Sequence, residues 1–366
     1  MEQYREVPFV IVVFFPSTRA FVFVKPPNVV YKNWNKNKHY VMSKTESTPN
    51  GGGGKTINIL CATDDKYAPY CGVMLTSFLE NHKAFHTEVY IIVKNSLKEE
   101  KRLRRLEERY DVKVNMIEFP FSNVISTFPI SCSCWTIETY YRLFVAELLP
   151  KAIDRVLYLD CDIIVDGDMS EMYFSDMAGV SALVCTDIIS IVAGIATRLG
   201  YKEKEGYFNA GMMFINIDYW REHDIMKKCI NYIKEHHDIL VYNDQDVLNY
   251  VLHDSKKFID IEYNFLSLFI SKMTFDSIDE NTKKAVINCK PRIIHFIKPK
   301  PWTIFSYKFP LTRVWEKYCK VSLWSSPFFK ELPKDKPFNY FIKRYFLWPF
   351  GIKFHIFEAI DEWKKR

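Results

Sequence analysis

Leu157-Tyr158-Leu159-Asp160-Cys161-Asp162-Ile163-Ile164-Val165 carries two carboxylates at the end of an apolar run. The run is short and bulky, which fits a buried strand over residues 155–159 better than a helix. In a strand, residues i and i+2 point to the same side, so Asp160 and Asp162 are expected to face one ion. Carboxylate oxygens suit hard divalent cations, and Mg²⁺ or Mn²⁺ keeps substrate phosphates in its shell. The motif therefore predicts a metal-bridged nucleotide diphosphate, with an ordinary solvated turn as the plain alternative.

Upstream, strand and helix patterns alternate. Residues 57–62, 88–93 and 112–117 read as strands, and 72–82 and 138–148 as helices. Residues 97–110 read as an amphipathic helix with Leu97, Leu103, Leu106 and Tyr110 on one side and charges on the other. Alternating units of this kind predict an α/β fold, a Rossmann-like, mostly parallel mixed sheet flanked by helices. Such sheets bind ligands at the carboxyl ends of their strands.

Four further segments carry candidate chemistry. ILCATDDKYAPY (59–70) puts Asp64 and Asp65 after the first strand, where one carboxylate can accept hydrogen bonds from a base or ribose. YFNAGMMFINIDYW (207–220) sets Asn209, Ala210 and Gly211 before an apolar strand, small residues that allow close backbone approach to a sugar. YNDQDVLNYVL (242–252) opens a helix with Asp244, Gln245 and Asp246, whose amide and carboxylates can grip hydroxyls; helix N-capping accounts equally for Asn243 and Asp244. IIHFIKPKPW (293–302) sets His295 after an apolar run, with Lys298 and Lys300 beyond it. A neutral imidazole is a competent Mn²⁺ ligand, and lysines beside it can neutralise a diphosphate.

Taken in order, these segments resemble glycosyltransferase family 8, the retaining transferases of GT-A fold that include bacterial lipopolysaccharide galactosyl- and glucosyltransferases and, more distantly, glycogenin. The resemblance spans residues 56–302. It implies that Asp160 and Asp162 bind Mn²⁺, with Mg²⁺ as the alternative, and that His295 is the third protein ligand. Nucleotide-sugar contacts are implied for Ala62, Asp64, Lys66, Tyr67, Arg142 (in ETYYRLF), Cys161, Asn209, Ala210, Gly211 and Lys300. Asp244 and Gln245 match the pair implied to act at the donor hexose, and Asp187 joins the pocket that discriminates one sugar from another. The sequence departs from the family at Lys66, where Asn is usual. The closing HxxGxxKPW also differs, since Lys298 replaces its glycine and His295 to Lys300 is one residue short.

The implied reaction moves galactose or glucose from UDP-galactose or UDP-glucose to a lipid-linked oligosaccharide, with retention. A carboxylate nucleophile is the usual route to retention in hydrolases. Gln245 stands in that place and an amide is a poor nucleophile, so a front-face route with Gln245 as a positioning group is expected. Two rivals stand beside this reading. One is a non-catalytic UDP-sugar-binding protein of the same fold, and the other a phosphatase of the haloacid dehalogenase type, which wants Thr or Val where this chain has Ile164.

Composition divides the chain. Of 366 residues, 50 are Lys or Arg and 44 Asp or Glu, for a net charge of +6; residues 290–366 hold 17 basic and 6 acidic residues, so the remainder is acidic. The same 77 positions hold 20 of the 59 aromatic residues. An acidic body argues against nucleic acid, whereas a basic, aromatic end (Lys343, Arg344 and Lys353 among residues 338–363) suits an anionic membrane surface. Three parts are expected: an N-terminal appendage with a Gly-rich linker (1–55, ending in Gly51–Gly54), a catalytic domain (56–302), and a membrane-associating helical region (303–366). The apolar run 9–15 lies between Pro8 and Pro16 and is too short to span a bilayer. Nine cysteines without zinc spacing read as reduced, buried thiols. The expected location is the cytoplasm, attached to the inner face of the membrane.

Overall fold

The computed structural model describes residues 10–13, 21–24, 55–131, 135–188, 194–303, 306, 309–325 and 359–366. Two compact units divide the chain. The smaller includes an antiparallel hairpin of β1 (Val10–Val13) and β2 (Phe21–Val24). Gly51–Gly54 lie outside the described residues.

The larger unit is built on seven strands: β3 (Thr56–Ala62), β4 (His86–Val93), β5 (Val112–Glu118), β6 (Arg155–Leu159), β8 (Ala182–Thr186), β9 (Phe208–Asn216) and β10 (Lys257–Phe258). Their order is β10-β8-β9-β6-β3-β4-β5, and only β9 runs antiparallel to its neighbours. A second sheet joins β11 (Phe265–Leu266), β12 (Ile293–His295) and β7 (Ile163–Val165). The expected mixed, mostly parallel sheet is present.

Its strands are apolar on both faces because helices cover both. Along β3, Ile57, Ile59 and Cys61 join a core with Tyr70, Val73 and Phe78 of helix α1 (Ala68–Asn81). Leu60 joins the opposite core, with Tyr140, Phe144, Trp220 and Val247. Each such fully buried side chain contributes about 1.5–3 kcal/mol relative to exposure.

Several expected elements differ in detail. Helix α1 begins at Ala68, with Pro69 in its first turn, where a missing N–H costs nothing. The helix expected over 97–110 is a short one, Glu100–Arg104, passing into a 3₁₀ turn, Arg105–Glu108. There Glu107 accepts a bond from the Val114 N–H (2.7 Å), a tertiary contact that local periodicity does not contain. Residues 137–144 are likewise 3₁₀ before the α-turn Val145–Leu148, and buried Arg142 reaches out of this segment to Ala210 and Asp160.

The chain after the second sheet folds back on the body. Helix Thr312–Val321 leads to Trp324, which lies so close to α1 that a Cβ on Gly72 would sit 2.2 Å from its ring. Residues 326–358, with Lys343, Arg344 and Lys353, lie outside the described residues. Residues 359–366 return: Ala359 bridges Ser271, Ile360 N–H donates to Ile270 O (2.9 Å), and Trp363 packs on Phe265 with centroids 5.1 Å apart. The sequence pattern groups Trp363 with the aromatics of the membrane-associating end; it is instead 5% exposed, because the fold offers it the core around β11. Among the described residues no helix is long and apolar enough to cross a membrane. Seven cysteines are buried and free, and Cys132 and Cys134 lie outside the described residues.

Candidate active site

The antiparallel course of β9 assembles the site. It brings Asn209, Ala210 and Gly211, near the start of β9, beside the carboxyl end of β6, with Leu159 opposite Met212. The sequence pattern suggested that these three precede a strand; they lie inside it, because β9 pairs with β6 and β8 along its length. Gly211 O accepts the Asp160 N–H at 2.8 Å.

Strand β6 stops at Leu159, so Asp160 and Asp162 sit on the turn into β7 rather than along a strand. They nevertheless converge, and His295 joins them because β12 pairs with β7, setting His295 opposite Ile163. One ligand atom from each of Asp160, Asp162 and His295 lies within 4.8 Å of the other two. His295 Nε2 is 3.1 Å from Asp162 Oδ1, and its buried Nδ1 has no hydrogen-bond partner. A Cβ on Gly211 would lie 2.2 Å from the His295 ring and 2.7 Å from Asp160 Oδ2, so only glycine leaves this cluster room. Two carboxylates, an imidazole and an unpartnered ring nitrogen fit a divalent cation.

Positive charge surrounds these carboxylates. Lys300 Nζ contacts Asp162 directly. Burial alone would raise the Asp162 pKa, but Lys300 and His295 outweigh it and hold the carboxyl well below its usual range. Burial disfavours charged Lys300, and Asp162 more than compensates, keeping the ammonium charged. Despite the shortened spacing after His295, Lys300 reaches the acidic pair. Lys298, at the family's glycine position, has its pKa lowered by burial and by Lys300.

Arg142 links the acidic pair to the helix Asn243–Val251. It donates to Ala210 O (2.6 Å) and Asp160 Oδ1 (2.9 Å), its Nε lies 3.0 Å from Asp244 Oδ2, and its guanidinium stacks over Tyr158. Asp244 is therefore no N-cap: its carboxylate accepts from Thr139 and faces Arg142, and the cap position is Tyr242. Asn243 adopts φ +43° and accepts the Ser131 N–H (3.1 Å). Burial lifts the Asp244 pKa to about 6, against the opposing pull of Arg142 and Thr139.

Gln245 lies across β9. Its Oε1 accepts from Ala210 N–H (3.1 Å) and Asn209 Nδ2 (3.4 Å), and its Nε2 donates to Asp187 (3.3 Å) and Tyr207 (3.2 Å). Asn209 also donates to Asp187 (2.7 Å). At the end of β3, Cys161 Sγ donates to Ala62 O (3.2 Å), and Asp64 accepts the Tyr67 N–H (2.7 Å). The Tyr67 ring meets Trp302 edge-on, while Lys66 is exposed.

All of the expected residues thus gather near the carboxyl ends of β3 and β6, with Lys66 the most exposed. Sequence reasoning missed Thr139, Tyr158, Tyr207 and Asn264, which hydrogen-bond to members of this set, and Arg198, which pairs with Asp246 beside it. Asn264 donates to Asn209 Oδ1 (3.0 Å) while its own buried Oδ1 has no partner. Only the polar character of these residues within apolar runs could have marked them.

Residues 58–304 match the model of Glycosyl transferase family 8. The chain is 28% identical over 297 residues to a lipopolysaccharide 1,2-glucosyltransferase of Escherichia coli K12, covering 79% of this chain and 84% of that one. It is 29% identical over 282 residues to a lipopolysaccharide 1,3-galactosyltransferase of Salmonella typhimurium, covering 74% and 79%. Among solved structures, the galactosyltransferase LgtC in complex with donor and acceptor sugar analogs superposes with a TM-score of 0.65 at 21% identity, over 76% of this chain and 98% of that one. That likeness is one of fold, a large, mostly parallel sheet flanked by helices of the GT-A type. A glycosyltransferase fold, a match over most of the chain and a convergent acidic site agree, and the protein belongs to glycosyl transferase family 8.

Proposed function

We propose that the chain is a retaining hexosyltransferase that moves galactose or glucose from a UDP-sugar to an oligosaccharide acceptor in the core of a lipopolysaccharide, the word lipopolysaccharide being the one its relatives' names carry. The observation that carries this reading is the cluster of Asp160, Asp162 and His295. These residues would hold Mn²⁺, which when bound supplies Lewis-acid charge to a departing diphosphate. Lys300 adds a fixed positive charge at the same edge. Ala62, Asp64 and Tyr67 flank the base and ribose in this reading, and Cys161 holds the turn to Ala62. Arg142 and Asp244 orient the sugar, and Asn209, Ala210 and Gly211 admit it close to the backbone.

Gln245 Oε1 is already engaged by Ala210 and Asn209. That supports a positioning amide and a front-face departure rather than a covalent adduct on Gln245. The test is UDP release from a panel of UDP-sugars. UDP-galactose or UDP-glucose should be hydrolysed with Mn²⁺ and spared after chelation, whereas no release from any UDP-hexose would favour the sugar-binding, non-catalytic alternative.

The catalytic domain is assigned to residues 56–302, and the basic aromatic segment beyond it to attachment at the cytoplasmic face of the membrane, near a lipid-linked acceptor. Because Ala359–Arg366 pack on the body, truncation would also strip that contact. Replacing Lys343, Arg344 and Lys353 by Gln is the cleaner test. Unchanged sedimentation with anionic vesicles would overturn the membrane assignment.

A further inference from the structure

We propose that Tyr207 is a positioning residue for Gln245, fixing which end of its amide faces the donor pocket; this rests on the reading of Gln245 as the group beside the sugar. The argument starts at Asp246, one residue along the helix and fully buried. Its carboxylate accepts from both terminal nitrogens of Arg198 (3.0 Å each), from the N–H groups of Val241 (2.7 Å) and Tyr242 (2.9 Å), and from Tyr207 OH (2.7 Å). A carboxylate so surrounded by donors can only accept, so the single Tyr207 proton points at Asp246. Burial keeps that hydroxyl protonated, lifting its pKa well above the usual tyrosine value.

With its proton committed, Tyr207 has only a lone pair to offer Gln245. It accepts from Nε2 at 3.2 Å, beside Asp187, another acceptor, at 3.3 Å. The opposite end of the amide meets two donors, Ala210 N–H and Asn209 Nδ2. Turning the amide over would set N–H groups against N–H groups and oxygen against oxygen on both sides. The orientation of Gln245 is therefore fixed at the Oε1 end by the Ala210 N–H, and at the Nε2 end by Asp187 together with a relay from Arg198 through Asp246 to Tyr207. None of the three relay residues belongs to the acidic cluster, and Arg198 lies on a separate short helix, Ile195–Leu199.

Tyr207→Phe keeps the ring and removes the acceptor, which leaves Asp187 alone to hold Nε2. The loss of one such hydrogen bond corresponds to a roughly tenfold fall in kcat for UDP release from UDP-galactose or UDP-glucose with Mn²⁺. KM for the donor should move no more than about threefold, because the ring and the sugar contacts remain. The deciding experiment is a double-mutant cycle with Gln245→Ala. If Tyr207 acts through Gln245, the double variant matches Gln245→Ala alone; multiplying losses overturn the proposal. A Gln245→Ala variant of wild-type activity would overturn the reading of Gln245 itself, and the relay with it.

A second measurement needs no turnover. In metal-free protein labelled with ¹⁵N-glutamine, the Gln245 side-chain amide signal should shift in Tyr207→Phe and its exchange with water should speed up. An unchanged signal and unchanged exchange in a folded variant would overturn the relay.

Discussion

His295 Nε2, at the end of β12, lies 3.1 Å from Oδ1 of Asp162, on the turn into β7, because these two strands pair antiparallel although they come from distant parts of the chain. Asp162 is also held by Lys300, so one carboxylate is shared between an imidazole and an ammonium. Asp162→Asn removes the charge both depend on. UDP release at saturating Mn²⁺ is expected to fall at least about 100-fold. A variant within a few-fold of wild type would remove the acidic pair from the mechanism.

Gly211 offers a test that leaves every polar group in place. In Gly211→Ala the new methyl group meets the His295 ring and Asp160. We expect Mn²⁺ affinity, read by electron paramagnetic resonance, to drop about tenfold or more while the circular dichroism spectrum is retained. Undiminished Mn²⁺ binding would mean that the ion sits elsewhere.

Arg142 balances two carboxylates, the half-buried Asp160 and the buried Asp244. Removing the guanidinium in Arg142→Ala leaves the buried Asp244 carboxylate without its cation, at a cost of about 3–5 kcal/mol in denaturant unfolding of metal-free protein. A loss below about 1 kcal/mol would show that water replaces the guanidinium.

Asp244 titrates high, near pH 6 in the folded chain against an ordinary 3.8. The native state therefore binds this proton more tightly than the unfolded chain does. As pH rises from about 4 to 6 the unfolded chain loses the proton first, and this residue draws stability away from the fold; above about 6 both states are ionised and its effect is constant. The total is bounded at about 3 kcal/mol. The stability of Asp244→Asn relative to wild type should rise with pH across that window in metal-free protein. A difference that stays flat from pH 4 to 7 would contradict the raised value.

Much of this was written in the sequence. Short apolar runs ending in Asp160 or Ala62 fix strands and a ligand-binding edge, because period and residue type act through near neighbours. The acidic pair, His295 and the segment opening with Asp244 and Gln245 were legible for the same reason: their chemistry belongs to residue type. The irregular 3₁₀ stretch around Arg142 was not, since its shape follows from contacts with Asp160, Ala210 and Asp244, which lie far away in the chain.

Sequence alone thus determined an α/β sheet, a divalent-cation motif and a basic aromatic end. Only the tertiary structure decided that β9 runs against its neighbours and carries Asn209 to Gly211 to the acidic turn, and that β12 pairs with β7 to deliver His295. It also decided that Trp363 packs in the core and that Arg198, Asp246 and Tyr207 orient Gln245. Strand order, register and the direction of a hydrogen-bond relay are set by partners distant in sequence, and local composition does not encode which partner will be met.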